Sequence, residues 1–169
     1  RKPGMGYHRN NYLQLAKLYA NADKPADAAS TLKDGIAKGA LQESLEVNRL
    51  LGDVCTQAED DACAIDAYTK ASALATDGNV DYQLGYMLFY SDRGAEAKAA
   101  LQRAIQRGGL KQEGEAFVLL GDIESYAGND AAALVAWTKA EGFPSTKAMA
   151  AQRIKAIKAG VKLKRSGNK

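Results

Sequence analysis

A leucine followed by a small residue recurs four times in this chain, at Leu15-Ala16, Leu51-Gly52, Leu84-Gly85 and Leu120-Gly121. The intervals between the small residues are 36, 33 and 36 positions. Twelve residues after each comes an alanine: Ala28, Ala64, Ala97 and Ala133. Four further on stands a large side chain, Leu32, Tyr68, Leu101 or Trp137, and three after that a small one again, Gly35, Ala71, Ala104 or Ala140. Self-similarity at a period of 20 to 50 residues restricts the fold to stacked supersecondary units, because each unit buries its apolar face only against its neighbours.

The spacing within one unit is that of two helices joined by a turn. A small residue on the first helix lets the second approach its backbone, the alanine early in the second helix is the reciprocal contact, and the large residue fills the gap toward the next unit. Between them lie Asp23-Lys24-Pro25, Glu59-Asp60, Asp92-Arg93-Gly94 and Gly128-Asn129-Asp130, which supply turn and helix-start residues. Alanine is abundant and only 3 prolines occur, which favours closely packed helices. The prediction is an all-α chain.

These phased copies resemble the tetratricopeptide repeat (TPR) family over about residues 8–141. The resemblance implies a right-handed α-solenoid of four helical hairpins, about 8–38, 42–75, 78–108 and 112–142, closed by a capping helix at 145–160. Residues 1–7 form an extension, and the basic residues 161–169 a disordered tail. The family's usual first-helix aromatic survives only as Tyr19; Cys55, Leu88 and Glu124 stand there in the later copies. The links Gly35–Ser44 and Ala104–Glu115 are alike, so the first two hairpins read as a duplicate of the last two. Glycine after each of those helices suits a left-handed cap. Ser145 is placed to accept from the free amides at the start of the last helix, with Ala148, Ala151, Ile154 and Ile157 on its inner face and Lys147, Arg153, Lys155 and Lys158 turned elsewhere.

Reactive constellations are missing from the sequence. His8 is the only histidine, so there is no histidine pair for zinc, and the cysteines lack zinc-finger partners. As a general base His8 is badly placed near the N-terminus, and it reads as a surface or helix-start residue. Gly4-Met5-Gly6 has Arg9 where a dinucleotide loop needs a third glycine. Asp77-Gly78-Asn79-Val80-Asp81 begins like a calcium loop, but Tyr82 and Leu88 occupy the positions of its glycine and bidentate glutamate, so it reads as a helix start. No enzyme activity, cofactor, metal or small-molecule substrate is expected.

The first helices of such a solenoid line its concave face. The resemblance therefore nominates Leu13, Lys17, Arg49, Asp53, Thr56, Tyr82, Tyr86, Phe89, Val118, Asp122 and Ser125 as groove residues for a protein or peptide partner. Tyr82, Tyr86, Phe89 and Tyr90 concentrate aromatics on one broad helical face. Asp53 and Asp122 occupy equivalent L-G-D positions, read either as a solvated face or pair with Arg49, or as recognition of a basic segment. Trp137 falls on the core frame.

Cys55 and Cys63 lie on either side of one inter-helix turn, as two free thiols or as one disulfide; a disulfide would point to an oxidising compartment. The net charge is +3, with acidic residues interspersed through the repeats, so nucleic acid is not the expected partner. The exception is the C-terminus, where Lys155, Lys158, Lys162, Lys164, Arg165 and Lys169 gather. No apolar run reaches the length of a membrane span. Arg1 in place of an initiating methionine implies a longer precursor.

The wording of the segments from Tyr12 to Leu41 and from Asp77 to Ile157, with Phe143 and Thr146 in the turn before a closing basic helix, is similar to a bacterial group of TPR proteins encoded with TonB-ExbB-ExbD systems. That resemblance implies a periplasmic accessory of outer-membrane transport; a cytoplasmic home is the alternative. The competing functional reading is a structural piece of a longer solenoid that self-associates or stacks on upstream repeats.

Overall fold

The computed structural model describes residues 5–163, with side chains from residue 11 onward. The His8 side chain, the extension before Met5 and the end of the basic tail lie outside what it describes. Among the described residues the chain is all-helical: α1 (Met5–Asn21), α2 (Pro25–Ala37), α3 (Leu45–Gln57), α4 (Asp61–Leu74), α5 (Asn79–Tyr90), α6 (Gly94–Arg107), α7 (Glu113–Tyr126), α8 (Asp130–Ala140) and α9 (Lys147–Lys158). Each odd-numbered helix up to α7 packs chiefly on the helix that follows it. The chain divides into two compact units, Arg1–Thr76 and Asp77–Lys169, each holding two hairpins.

The repeated small residues sit where two helices touch. A Cβ added to Gly52 would lie 2.5 Å from the Tyr68 ring, and one added to Gly85 would lie 2.8 Å from Leu101. At Gly121 the neighbour is the Trp137 indole. Ala16, Ala28 and Leu32 make the corresponding contact region in the first hairpin, all fully buried. Burying side chains of the size of Tyr68 and Trp137 contributes about 2–3 kcal/mol each.

All four inter-helix turns use one device. Asp23, Glu59, Asp92 and Gly128 take positive φ, at 56°, 57°, 62° and 82°. The next residue's amide then reaches back five positions: Lys24 N to Tyr19 O, Asp60 N to Cys55 O, Arg93 N to Leu88 O and Asn129 N to Glu124 O, at 2.8–2.9 Å. This Schellman closure satisfies carbonyls left open at the helix end.

In the first unit α3 starts at Ser44, whose side chain accepts from Val47 N at 3.2 Å, and α4 starts at Asp60, which accepts from Cys63 N at 3.1 Å. Cys55 and Cys63 are joined as a disulfide, with Cα atoms 5.8 Å apart.

In the second unit Asp77-Gly78-Asn79 forms the start of α5. Asp77 Oδ1 accepts from Asn79 N, while the Asn79 amide group donates to Gly109 O, each at 3.0 Å. Gly108, at φ 73°, turns the chain so that its carbonyl accepts from Gly78 N at 2.9 Å.

Ser145 does not cap the last helix. It is exposed, and α9 begins at Lys147 after Thr146. The Thr146 hydroxyl is 2.8 Å from Ala140 O and donates there, closing the end of α8; it makes no capping hydrogen bond to α9 either. The inner face of α9 is Ala150, Ile154 and Ile157, packed on Phe117, Val118 and Trp137; Ala148 and Ala151 are exposed. Arg153, expected to point away, is turned inward to Asp122.

Candidate partner-binding surface

The helix α5 reads Asn79-Val-Asp-Tyr-Gln-Leu-Gly-Tyr-Met-Leu-Phe-Tyr90. Its inward face takes Val80, Leu84, Met87 and Leu88, all buried. At the spacing of one helical turn, Tyr82, Tyr86 and Tyr90 are left along another face. Tyr86 is 43% exposed and Tyr90 58% exposed, with ring centroids 4.6 Å apart. Phe89 meets Tyr90 edge-on at 5.1 Å and stacks on Tyr126 of α7 at 5.8 Å. Tyr126 is itself 38% exposed. Three exposed tyrosines from two helices thus form one aromatic surface over a buried phenylalanine.

The surroundings of Tyr82, Tyr86 and Tyr126 favour the protonated hydroxyl. Burial, with the Glu115 carboxylate and the neighbouring phenols adding to it, pushes Tyr82 up to about 12. Burial also raises Tyr86 and Tyr126, the latter helped by Asp122. At neutral pH these hydroxyls are hydrogen-bond donors and acceptors rather than phenolates. Beside them the Asp122 carboxylate is neutralised by Arg153, whose Nε and Nη2 donate to its two oxygens at 2.5 and 3.0 Å.

A cavity of about 400 Å³ opens next to Phe89 and Tyr126. Its wall also includes Ile123, Lys98 and Glu124. Glu124 is 5% exposed; it accepts from Lys98 Nζ at 2.5 Å and from Asn129 Nδ2 at 2.8 Å. Those hydrogen bonds, the lysine's first, hold the carboxyl below its ordinary range against the opposing effect of burial.

In the first unit Lys17, Arg49 and Asp53 come together around a cavity of about 520 Å³ with Leu45, Glu46 and Leu50. Lys17 Nζ pairs with Glu46 at 3.2 Å, an exposed bridge of small energetic weight. Leu13 is half-buried. Thr56 is half-buried too, and its hydroxyl donates to Gly52 O at 2.9 Å.

Three of the nominated groove residues are buried instead. Val118 belongs to the core cluster around Trp137. Phe89 lies beneath the tyrosines at 7% exposure. Asp122 is taken up by Arg153 and by Trp137 Nε1, which donates to it at 3.0 Å. Asp53 likewise accepts from Tyr68 Oη at 2.7 Å, so neither L-G-D carboxylate stands open to solvent as a simple acidic patch. Tyr126 and Arg153 fall outside the groove positions that the sequence nominates. The signal for Tyr126 was its position, equivalent to Tyr90 one 36-residue interval earlier. Among the described residues no group of histidine, cysteine and acidic side chains is placed to hold a metal ion, and no helix is long and apolar enough to cross a membrane.

No protein-family model matches the sequence, and neither does any curated protein. Solved structures do match. A structure of MamA superposes with a TM-score of 0.75 at 22% identity, covering 87% of this chain and 85% of that one. YrrB, a TPR protein with an unusual peptide-binding site, gives a TM-score of 0.73 at 20% identity, over 88% of this chain and 75% of that one. PilF of Pseudomonas aeruginosa gives 0.68 at 21%, over 89% and 68%. At these identities the likeness establishes the fold, that of TPR-type helical hairpins.

Proposed function

We propose that this chain is a non-catalytic scaffold that holds a segment of a partner protein against the tyrosine surface of α5 and α7. The observation that carries this reading is the placement of Tyr86, Tyr90 and Tyr126 in solvent, each a large aromatic that the core does not use. Tyrosine combines apolar area with a polar tip at low entropic cost, and it is enriched where protein interfaces draw most of their energy. The peptide-binding site of YrrB, a structural neighbour, is consistent with such a use of this fold. The cluster of Lys17, Arg49 and Asp53 is a second contact region in the same reading. The resemblance to TonB-associated TPR proteins extends it to a periplasmic accessory role, with which a Cys55–Cys63 disulfide is compatible.

Site-specific photocrosslinking in the native host tests this. A photoreactive residue at Tyr86 or Tyr90 should trap one protein species, identified by mass spectrometry, and the same residue at exposed Ser30 on α2 should not. Once that partner is known, Tyr86→Ala with Tyr90→Ala should weaken its binding at least tenfold, each truncation removing about 1 kcal/mol or more. Equal trapping from all positions, or an unchanged affinity in a variant that melts like the parent, removes the tyrosine surface from the interface.

One observation favours a second reading, association between chains or with further repeats. Leu15 and Leu18 on α1 are 43% and 63% exposed, more apolar surface than an isolated helix end requires. Sedimentation at rising concentration distinguishes the two: a Leu18→Glu variant that abolishes self-association but leaves the Tyr86 crosslink intact separates scaffold from stacking.

A further inference from the structure

Charge is distributed unevenly along this chain. Residues 142–169 hold Lys147, Arg153, Lys155, Lys158, Lys162, Lys164, Arg165 and Lys169 and no acidic residue, so they carry +8. The chain total is 23 basic and 20 acidic, which leaves 15 basic against 20 acidic, or −5, for residues 1–141. The structure gives this charge a direction. Arg153 is consumed by Asp122, whereas Lys147, Lys155, Lys158 and Lys162 are exposed and appear in no ion pair among the described residues. At 3.6 residues per turn, Lys147, Lys155 and Lys158 fall within an arc of about 80° on α9. That arc adjoins, and does not overlap, the inner face made by Ala150, Ile154 and Ile157. Just past the helix, exposed Val161 stands beside Lys162.

We propose that this lysine face, together with Lys162 just past the helix, docks the protein on an anionic lipid surface. Its charge complements phosphate headgroups, and a run of lysines without acidic neighbours is how a protein reads a negative surface potential rather than a defined sequence. The side chains themselves favour lipid over nucleic acid. Residues 144–169 contain no aromatic residue on which a base could stack. The cations are mostly lysines, which act as point charges, and the one arginine on α9 whose fork could read a base edge is already paired. An exposed valine among lysines adds a shallow apolar contact. The surface is separate from the tyrosines of α5 and α7 and does not depend on their role.

Vesicle co-sedimentation of the full chain tests the proposal, with phosphatidylcholine vesicles that do or do not contain phosphatidylglycerol. The wild type should bind only the anionic vesicles, and less as salt shortens the Debye length from about 10 Å at 0.1 M to about 3 Å at 1 M. Each lysine near such a surface strengthens binding by roughly fivefold. The triple variant Lys155→Gln, Lys158→Gln, Lys162→Gln should therefore bind about a hundredfold more weakly while keeping the wild-type circular dichroism. Absence of binding to anionic vesicles, equal binding to neutral ones, an unchanged affinity in the triple variant, or tighter binding to a random DNA duplex than to anionic vesicles would each overturn it.

Discussion

Asp122 accepts a hydrogen bond from Trp137 Nε1 at 3.0 Å, across the 15 residues that separate the third position of an L-G-D motif from the large frame residue of the next helix. The same spacing links Asp53 to Tyr68, at 2.7 Å. Where the frame residue is Leu32 or Leu101 and has no donor, the position holds Lys17 or Tyr86 instead of an aspartate. The carboxylate is thus present where a buried aromatic donor needs an acceptor, and the donor's burial is what makes the bond matter. In the last hairpin it also anchors α9 through Arg153.

Asp122→Ala should consequently cost about 2–3 kcal/mol. It strips the half-buried Arg153 of its partner and leaves the indole with a single long contact, to Val118 O at 3.3 Å. Denaturant unfolding followed by Trp137 fluorescence reads both effects. Asp122→Asn keeps an acceptor for the indole but removes the charge, and should lose about half as much. Equal losses for the two variants would mean that the ion pair with Arg153, and not the indole bond, carries the whole effect.

The frame glycines predict a second set of outcomes. Gly52→Ala drives a Cβ to 2.5 Å from the Tyr68 ring, and Gly121→Ala does the same against Trp137. Neither ring is free to withdraw, being fully buried and hydrogen-bonded, so each substitution should cost about 1–3 kcal/mol. Gly94→Ala is the control: nothing lies within 4 Å of its added Cβ, and a better helix former at the start of α6 should gain up to about 1 kcal/mol. Thermal melts of the three variants check the ordering, and a Gly52→Ala protein as stable as the parent would show that the Tyr68 ring can give way without cost.

The four left-handed turn positions differ in how well their residues suit them. Gly128 pays no Cβ penalty there, whereas Glu59 at φ 57° does, and Asp23 and Asp92 less so because short polar side chains tolerate this region. Glu59→Gly should raise stability by roughly 0.5–1 kcal/mol, and Gly128→Ala should lower it by about 1 kcal/mol. Opposite shifts in Tm from these two substitutions are the expected result; shifts of the same sign would count against the backbone assignment.

Reading the sequence recovers the helical hairpins because their frame is written in small side chains at fixed intervals, and a missing Cβ at Gly52, Gly85 or Gly121 serves only a close helix contact. The surface is less legible. Which side chains of a first helix reach solvent depends on the neighbouring hairpin, so Phe89 and Val118, phased with exposed positions, are covered while Tyr126 is not. Asp53 and Asp122 look like a shared acidic face until the donor 15 residues on is considered with them. At the last turn the local pattern of Pro144-Ser145 points to a helix start, yet packing of Thr146 against Gly114 and Ala140 moves that start two residues later.

The Cys55–Cys63 bond closes a short loop across the turn of the second hairpin, at a sequence separation of 8. On the chain-entropy account such a loop stabilises by about 2.5 kcal/mol. Urea unfolding with and without a reductant should differ by that amount, as should the parent and a Cys55→Ala, Cys63→Ala variant. Two thiols titrating in the denatured, unreduced protein, together with identical unfolding curves, would show the pair to be free.

Glu124 gives the chain a pH dependence whose sign follows from its partners. Its carboxyl is held below the ordinary range, chiefly by the hydrogen bond from Lys98 and then by that from Asn129. A depressed folded-state pKa means the unfolded chain takes up the proton first as pH falls. The stabilisation is therefore complete above the unfolded value of about 4.3 and is lost as pH drops through the lower folded value. Glu124→Gln should leave the protein less stable than the parent at neutral pH, with Lys98 no longer paired to a carboxylate, and the gap should narrow steadily below about pH 4. Chemical denaturation of both proteins from pH 7 to pH 3 measures the gap, and a difference that stays constant across that range would rule out the Lys98–Glu124 pair as its source.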